Sequence, residues 1–186
     1  TSTTDRSIKL YSDATLRNGD CKFVLRNYSA ALSTYDLVFS KKLPGADYAL
    51  YQKAIIQGLQ NNSTGKIATL KIITENYSSS IYMDDALYEL GITYLLVPAY
   101  QDAAAVFNSI ISKYPNSSYV RKAHLKMGLI YFNLDNNEKA LDEYKWVLGK
   151  YPKTPEGVEA LNGVKEIYTD KGDAQGYLDF VKGVPN

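Results

Sequence analysis

The sequence contains few of the residues from which reactive or metal-binding sites are usually built. Among its 186 residues there is one cysteine and one histidine. Cys21 has no partner for an internal disulfide, and no cysteine-based metal site can form. His124 lacks the second histidine or the neighbouring cysteine that a catalytic triad or a metal site would need. We therefore expect no metal and no cofactor, and we expect Cys21 to be a small core residue of a helix.

Long apolar runs and clusters of one charge are also missing. No apolar stretch reaches the roughly 18–20 residues that a membrane helix needs. The formal net charge is +1, and no segment concentrates lysine and arginine. These features predict neither a nucleic-acid partner nor direct membrane insertion. Residues 1–5 lack the charged and apolar regions of a signal peptide, which indicates a trimmed or internal boundary.

The chain does contain an internal repeat. The segment from Asp84 and the segment from Arg121 superpose with an offset of 37 residues. A fixed period between 20 and 50 residues is typical of helical solenoids, in which each unit buries its apolar face on its neighbours. The matching pairs include Ala86 and Ala123, Gly91 and Gly128, Tyr94 and Tyr131, Ala103 and Ala140, and Pro115 and Pro152.

The positions within each repeat resemble the tetratricopeptide pattern, which is W-x2-L-G-x2-Y, then A-x3-F, then P. The resemblance is strong over residues 84–152 and weaker elsewhere, where Lys66 stands at an alanine position and Lys165 at a glycine position. The first repeat supplies Leu87, Leu90, Gly91, Tyr94, Ala103, Phe107 and Pro115. The second supplies His124, Met127, Gly128, Tyr131, Ala140, Tyr144 and Pro152.

This resemblance implies an all-α fold, an α-α superhelix of about four and a half helical hairpins in a single domain over residues 1–186. Gly91 and Gly128 would let the two helices of a hairpin approach closely, and Pro115 and Pro152 would follow the second helices, which they cannot continue. Carboxylates at 84–85 suit the start of a helix. The hairpins are expected at about 12–45, 47–79, 84–115, 121–152 and 156–184.

The linker between hairpins has a Tyr-Pro-x-Ser/Thr pattern that resembles bacterial cell-envelope tetratricopeptide proteins. These include the outer-membrane assembly lipoprotein and the coordinator protein of the Tol–Pal system. The resemblance implies a periplasmic or outer-membrane-associated location in a bacterium. It also implies a non-catalytic scaffold that binds another protein or peptide.

In this family the first helix of each hairpin lines the concave surface. The helical spacing along these first helices then predicts which residues face a partner. Their apolar and aromatic character favours an apolar or amphipathic partner segment. Chaperone-binding relatives hold a terminal carboxylate with lysine and asparagine at these positions, a function that the side chains present here exclude. The surface ends in Glu159, Asn162 and Glu166. The predicted partner groove contains Tyr51, Ile55, Tyr88, Ile92, Leu95, Leu125, Leu129 and Phe132.

Three alternatives remain open at this point. Tight curvature of the array would bury the groove residues among neighbouring hairpins, in which case no groove exists. The chain would alternatively be a structural spacer within a longer tetratricopeptide protein, without an independent binding site. An enzyme is the remote alternative. His124 is then better explained as a packing residue with one satisfied nitrogen, and Trp146 as core or edge packing.

Overall fold

A computed structural model describes residues 3–184, and every regular element in that range is an α-helix. Within each half of the chain, consecutive helices pair into hairpins, and the last hairpin has a short second helix. This confirms the all-α fold class. The helices are α1 (Thr3–Val24), α2 (Tyr28–Ser40), α3 (Ala46–Leu59), α4 (Ser63–Asn76), α5 (Met83–Leu96), α6 (Tyr100–Lys113), α7 (Val120–Asn133), α8 (Asn137–Lys150), α9 (Pro155–Asp170) and α10 (Ala174–Lys182).

The helices group into two compact units, and the boundary between them along the chain falls between residues 97 and 98. Unit 1 contains α1 to α5 and unit 2 contains α6 to α10. Within each unit, every helix packs against the next one along the chain, and α7 also packs against α9. The single domain over 1–186 stays a prediction, and residues 1, 2, 185 and 186 lie outside the described range. The first hairpin begins at Thr3 and not near residue 12.

Four of the turns between consecutive helices share one capping geometry. Asn27, Asn62, Asn136 and Asp173 each precede a second helix and accept a hydrogen bond from the backbone N–H three residues later. This bond satisfies one of the N–H groups that a helix start leaves unpaired. The residue before each cap has a positive φ, and at Gly172 this conformation carries no steric penalty. Asp135 and Asn136 form this turn between α7 and α8.

The linkers between hairpins explain the Tyr-Pro-x-Ser/Thr pattern. Tyr114 ends α6, and the Ser117 backbone N–H donates to the Tyr114 carbonyl at 2.9 Å. The Ser117 hydroxyl then accepts from the Tyr119 backbone N–H at 3.1 Å, just before α7 begins. Thr154 plays a related part before α9, where its hydroxyl accepts from the Gly157 N–H at 3.2 Å. Thr154 thus caps α9, whereas Ser117 binds the backbone N–H of Tyr119 just before α7.

The core of unit 1 forms where α1, α2 and α3 pack together. Ala31, Tyr35, Val38, Ala49 and Ile56 are buried there. The Tyr35 ring lies against the backbone of α1 at Gly19, where a Cβ atom would be 2.7 Å from the ring. Glycine therefore permits this close approach, as predicted for the first helix of a hairpin.

The core of unit 2 is organised around Tyr144, which is 4% exposed. A Cβ atom at Gly128 on α7 would overlap the Tyr144 ring, and one at Gly163 on α9 would lie 2.5 Å from it. The ring therefore packs between two glycine positions on different helices. The last hairpin has Lys165 at the motif glycine position, and its Gly163 approaches Tyr144 of the preceding hairpin.

Cys21 also differs from its prediction. Its side chain is exposed and not part of the core. It lies near the end of α1, on the side that carries the exposed side chains Val24 and Leu25. The helical pattern placed Cys21 on a helix correctly but not on its buried face.

Candidate interaction surface

The first helices of two hairpins, α3 and α5, carry five of the predicted groove residues in unit 1. Tyr51, Ile55, Tyr88, Ile92 and Leu95 are all half-buried. Each side chain therefore packs partly against the protein and leaves part of its surface accessible. We call this accessible side of α3 and α5 the first-helix surface of unit 1.

Three tyrosines lie together at the N-terminal ends of α3 and α5. The Tyr51 and Tyr82 rings stack, with 5.6 Å between centroids and 16° between planes. The Tyr48 and Tyr82 rings meet at 5.5 Å in a tilted arrangement. We call Tyr48, Tyr51 and Tyr82 the tyrosine cluster. Register alone identified Tyr51; Tyr82 was missed because it precedes the first turn of α5.

Carboxylates surround the tyrosine cluster. Asp20 on α1 accepts hydrogen bonds at Oδ1 from the hydroxyls of Tyr35 at 2.7 Å and Tyr48 at 2.9 Å. Burial, followed by the hydrogen bond to Asp20, raises the pKa of Tyr48 to about 12. These tyrosines therefore stay neutral hydroxyl donors at any physiological pH.

The same negative field reaches the other two rings of the cluster. Burial, then the charges of Asp85, Glu89 and Asp84, raise the pKa of Tyr51 to about 12. Burial, then the charges of Asp47, Asp85 and Asp20, raise the pKa of Tyr82. Carboxylates from three helices thus act on one aromatic cluster.

A cleft of about 510 Å³ opens beside the tyrosine cluster, which we call the acidic cleft. Its floor includes Tyr48 and Tyr82, and Ile81 at its edge is 80% exposed. Asp47 lies in the cleft and accepts a hydrogen bond from the Ser80 hydroxyl at 2.6 Å. Aromatic, aliphatic and anionic groups therefore line one concave site.

A buried ion pair supports α5 from below the first-helix surface. Lys66 on α4 is buried, and its Nζ donates to Oε2 of Glu89 at 2.5 Å. The lysine stem packs on Gly58 of α3, where a Cβ atom would lie 3.3 Å from it. Lys66 stands at the position where the repeat pattern has alanine, so a charged pair replaces the small-residue contact that the motif predicts.

The corresponding part of unit 2 is different. Leu125 is 3% exposed and belongs to the core cluster around Tyr144, so it is a core residue and not part of an accessible surface. Phe132 is half-buried and packs against that cluster, while Leu129 is 38% exposed. Lys126 crosses to Glu159 on α9 with its Nζ at 3.1 Å. Glu159, Asn162 and Glu166 are exposed, and their place in a groove stays a prediction.

His124 has the contacts of a packing residue. Its Nδ1 lies 2.6 Å from Glu143 Oε2, and its ring stacks on Trp146 with 3.6 Å between centroids. Trp146 in turn packs against the core of unit 2. Within residues 3–184, no three His, Cys, Asp or Glu side chains are grouped closely enough to bind a metal ion. Over the same range, no helix has both the length and the hydropathy needed to cross a membrane.

Residues 85–117 and 122–154 match the family model described as tetratricopeptide repeat. These two segments are similar to tetratricopeptide repeats. The rest of the chain is not covered by this match, in agreement with the weaker motif positions outside residues 84–152. No curated protein matches the sequence at a significant level.

Solved structures show the same fold at low sequence identity. A crystal structure of MamA protein is 19% identical, with a TM-score of 0.75 over 92% of this chain and 88% of that one. MamA from Desulfovibrio magneticus is 15% identical, with a TM-score of 0.68 over 97% and 93%. A tetratricopeptide repeat protein from Parabacteroides merdae is 13% identical, with a TM-score of 0.69 over 91% and 72%. These similarities establish the helical-repeat fold of the chain.

Proposed function

We propose that this chain is a non-catalytic protein-interaction scaffold that binds an apolar or amphipathic partner segment on the first-helix surface of unit 1. The observation that carries the proposal is the tyrosine cluster, whose half-buried rings lie at the starts of the two helices that carry Ile55 and Ile92. The three tyrosines are half-buried and keep part of their surface accessible to a partner, whereas Tyr35 is buried.

The chemistry of this surface suits a protein partner. Tyrosine presents a large contact area with few rotatable bonds, so ordering it on binding costs little entropy. Aromatic side chains in partly desolvated pockets also account for much of the binding energy at protein interfaces. The repeat fold holds these rings on helices whose own positions are set by the cores beneath them.

The spacer function is the second candidate, and unit 2 favours it. There Leu125 is buried, and Lys126 pairs with Glu159, so the first-helix residues of unit 2 bind mainly to one another. Unit 2 would then be a structural part of a repeat array without a binding site of its own. Leu129 and Phe132 remain the predicted contact residues of this half.

We further propose a periplasmic or outer-membrane-associated location in a bacterium. The Tyr-Pro-x-Ser/Thr linkers support it through their resemblance to cell-envelope tetratricopeptide proteins. Fractionation of the source cells, followed by detection of the chain with an antibody, tests this proposal. Recovery in the periplasmic or outer-membrane fraction is the expected result, and recovery only with cytoplasmic markers contradicts it.

Selection from a displayed library of random peptides tests the binding proposal. The full chain is immobilised, and we expect it to enrich peptides whose apolar residues recur at helical or alternating spacing. A double variant, Ile55→Gln with Ile92→Gln, should bind a selected peptide roughly tenfold more weakly, because two accessible apolar contacts are lost. Fluorescence anisotropy with a labelled peptide measures the change.

The matched control is Val24→Gln with Leu25→Gln. These two side chains are also apolar and in unit 1, but they are exposed at the far end of α1. This control should leave binding unchanged, and circular dichroism should show that both double variants keep their helices. The proposal fails if the library yields no enriched peptide, or if the two double variants weaken binding equally.

A further inference from the structure

The acidic cleft presents negative charge that its hydrogen bonds do not neutralise. Asp20 accepts from two tyrosine hydroxyls and Asp47 accepts from a serine hydroxyl, and all three donors are neutral. Both carboxylates are therefore held in fixed positions by donors that carry no charge. Asp13 differs, because it forms an ion pair with Arg17 at 2.8 Å. Arg17 also lines the cleft, and its charge lies near Asp20. Three carboxylates and this one basic side chain line the cleft, so the formal charge of its lining is negative.

The aromatic rings of the cleft also favour a bound cation. The face of a tyrosine ring carries negative potential, and a lysine or arginine over it gains about 0.5–2 kcal/mol according to its exposure. Tyr48 and Tyr82 present their rings in the same cleft as Asp20 and Asp47. A basic side chain placed there would contact a ring and a carboxylate at once.

Unit 2 contains a similar arrangement in which one of its own side chains supplies the cation. The Arg121 guanidinium lies over the Tyr151 ring, 5.2 Å from its centroid, and donates from Nη2 to Oε1 of Glu156 at 3.2 Å. Lys139 similarly lies over the Tyr131 ring at 5.4 Å. In unit 2 the basic side chains over these rings therefore belong to unit 2 itself. The acidic cleft of unit 1 combines the ring and the carboxylates around a concave space.

We propose that the partner segment bound by unit 1 carries a lysine or arginine that enters the acidic cleft beside Tyr48 and Tyr82. Its apolar residues contact Ile55 and Ile92 on the first-helix surface. The partner is thus a basic amphipathic protein segment. This inference rests on the proposed function, since it assigns the chemistry of the segment that the same surface binds.

The library selection with the full chain tests this inference through the composition of the recovered peptides. We expect lysine and arginine to be enriched next to the apolar residues, compared with the unselected library. Changing the lysines and arginines of one selected peptide to glutamine should weaken its binding about tenfold, since a charge-assisted hydrogen bond and a ring contact are lost. Changing them to glutamate should abolish its binding.

The matched variants separate a specific cleft from general attraction between charges. Asp47→Asn with Asp85→Asn removes two carboxylates from the first turns of α3 and α5. Asp102→Asn with Glu138→Gln removes two exposed carboxylates from the first turns of α6 and α8, with the same change in net charge. The first pair should weaken binding of the basic peptide about tenfold, and the second should leave it unchanged. Equal weakening by both pairs overturns the inference.

A salt titration of the unaltered chain keeps the inference testable if the Asp47 and Asp85 variant does not fold. Raising sodium chloride from about 0.05 M to about 0.5 M should weaken binding of the basic peptide several-fold. Salt shortens the distance over which the carboxylates of the cleft attract the basic side chains of the peptide. Binding that is independent of salt overturns the inference. If the selected peptides need Ile55 and Ile92 for binding but lack basic residues, the inference is overturned and the proposed function is retained. The absence of any enriched peptide overturns both.

Discussion

The two units build the same kind of helical hairpin with different chemistry. In unit 2, Tyr144 packs between Gly128 and Gly163, and the surrounding basic side chains pair with carboxylates of the same unit. In unit 1, a buried Lys66–Glu89 pair occupies the place of the small-residue contact, and Asp20 receives two tyrosine hydroxyls. Unit 2 therefore follows the repeat pattern closely, while unit 1 departs from it where polar groups are buried.

The difference between the two units distinguishes residues that are buried for packing from residues that stay accessible. Residues that match the repeat pattern are those whose packing every hairpin requires, so they end up buried. The departures in unit 1 place tyrosines and carboxylates where a regular repeat has no need of them. Buried polar groups contribute little net stability compared with apolar packing of the same volume.

The largest expected effect concerns the buried pair of unit 1. Glu89→Ala should reduce the free energy of unfolding by about 3 kcal/mol, because it leaves the Lys66 ammonium buried without its carboxylate. Urea denaturation followed by circular dichroism measures this. Glu75→Ala is the control, since the Lys71–Glu75 pair lies on the surface of α4 in the same unit. The control should change the free energy by about 0.5 kcal/mol or less. Similar losses in both variants would show that the Lys66–Glu89 pair behaves as a surface pair.

The second effect concerns the glycine contact of unit 2. Gly128→Ala places a methyl group where the Tyr144 ring lies, and we expect a loss of about 2 kcal/mol in the free energy of unfolding. Gly149→Ala serves as the comparison, because no atom lies within 4 Å of its Cβ position on α8. That substitution should stabilise the protein by about 0.5 kcal/mol through helix propensity. Equal responses of the two glycines to alanine would contradict the packing described for Tyr144.

The smallest effect is a dependence on pH in unit 2. Burial raises the pKa of Glu156, but a backbone hydrogen bond and the Arg121 guanidinium outweigh burial, and the net pKa is lowered. The ion pair therefore stabilises the fold above the unfolded-state pKa of about 4.3 and loses its contribution as the pH falls through the folded-state value. The contribution is about 1 kcal/mol.

Denaturation of the unaltered chain and of Glu156→Gln between about pH 7 and about pH 3 tests this dependence. The stability difference between them should be present at neutral pH and should shrink toward zero as the pH falls. Glu159→Gln is the control on the same helix, since its pair with Lys126 is more exposed. A difference that grows in acid would show that the pKa of Glu156 is raised in the folded state.

The sequence predicts most of the fold because the repeat positions are the positions of obligatory packing. Gly128, Ala103 and Ala140 recur at a fixed offset for the same reason that they are buried or closely packed. The linker tyrosines and hydroxyl residues recur because they end one helix and form hydrogen bonds in the turn before the next. Periodicity and packing then carry the same information, so the helices could be placed from the sequence.

The candidate surface could be predicted only in part. Register identified Tyr51, Ile55 and Ile92 because it depends on spacing within one helix. Asp20 and Tyr48 meet across 28 positions of sequence, and Lys66 and Glu89 across 23. No local spacing encodes such pairs. Leu125 was misplaced because its register matches that of Tyr88, while the packing of its unit buries it.

The most direct test of the account is the location of a bound peptide on the full chain. Backbone amide chemical shifts of isotopically labelled protein can be compared with and without a basic peptide selected as described above. The account predicts shift changes at Asp47, Tyr48, Tyr51, Tyr82 and Ile92, and little change along α7 and α9. Changes concentrated on α7 and α9, or on the second helices, would contradict the assignment of the interaction surface to unit 1.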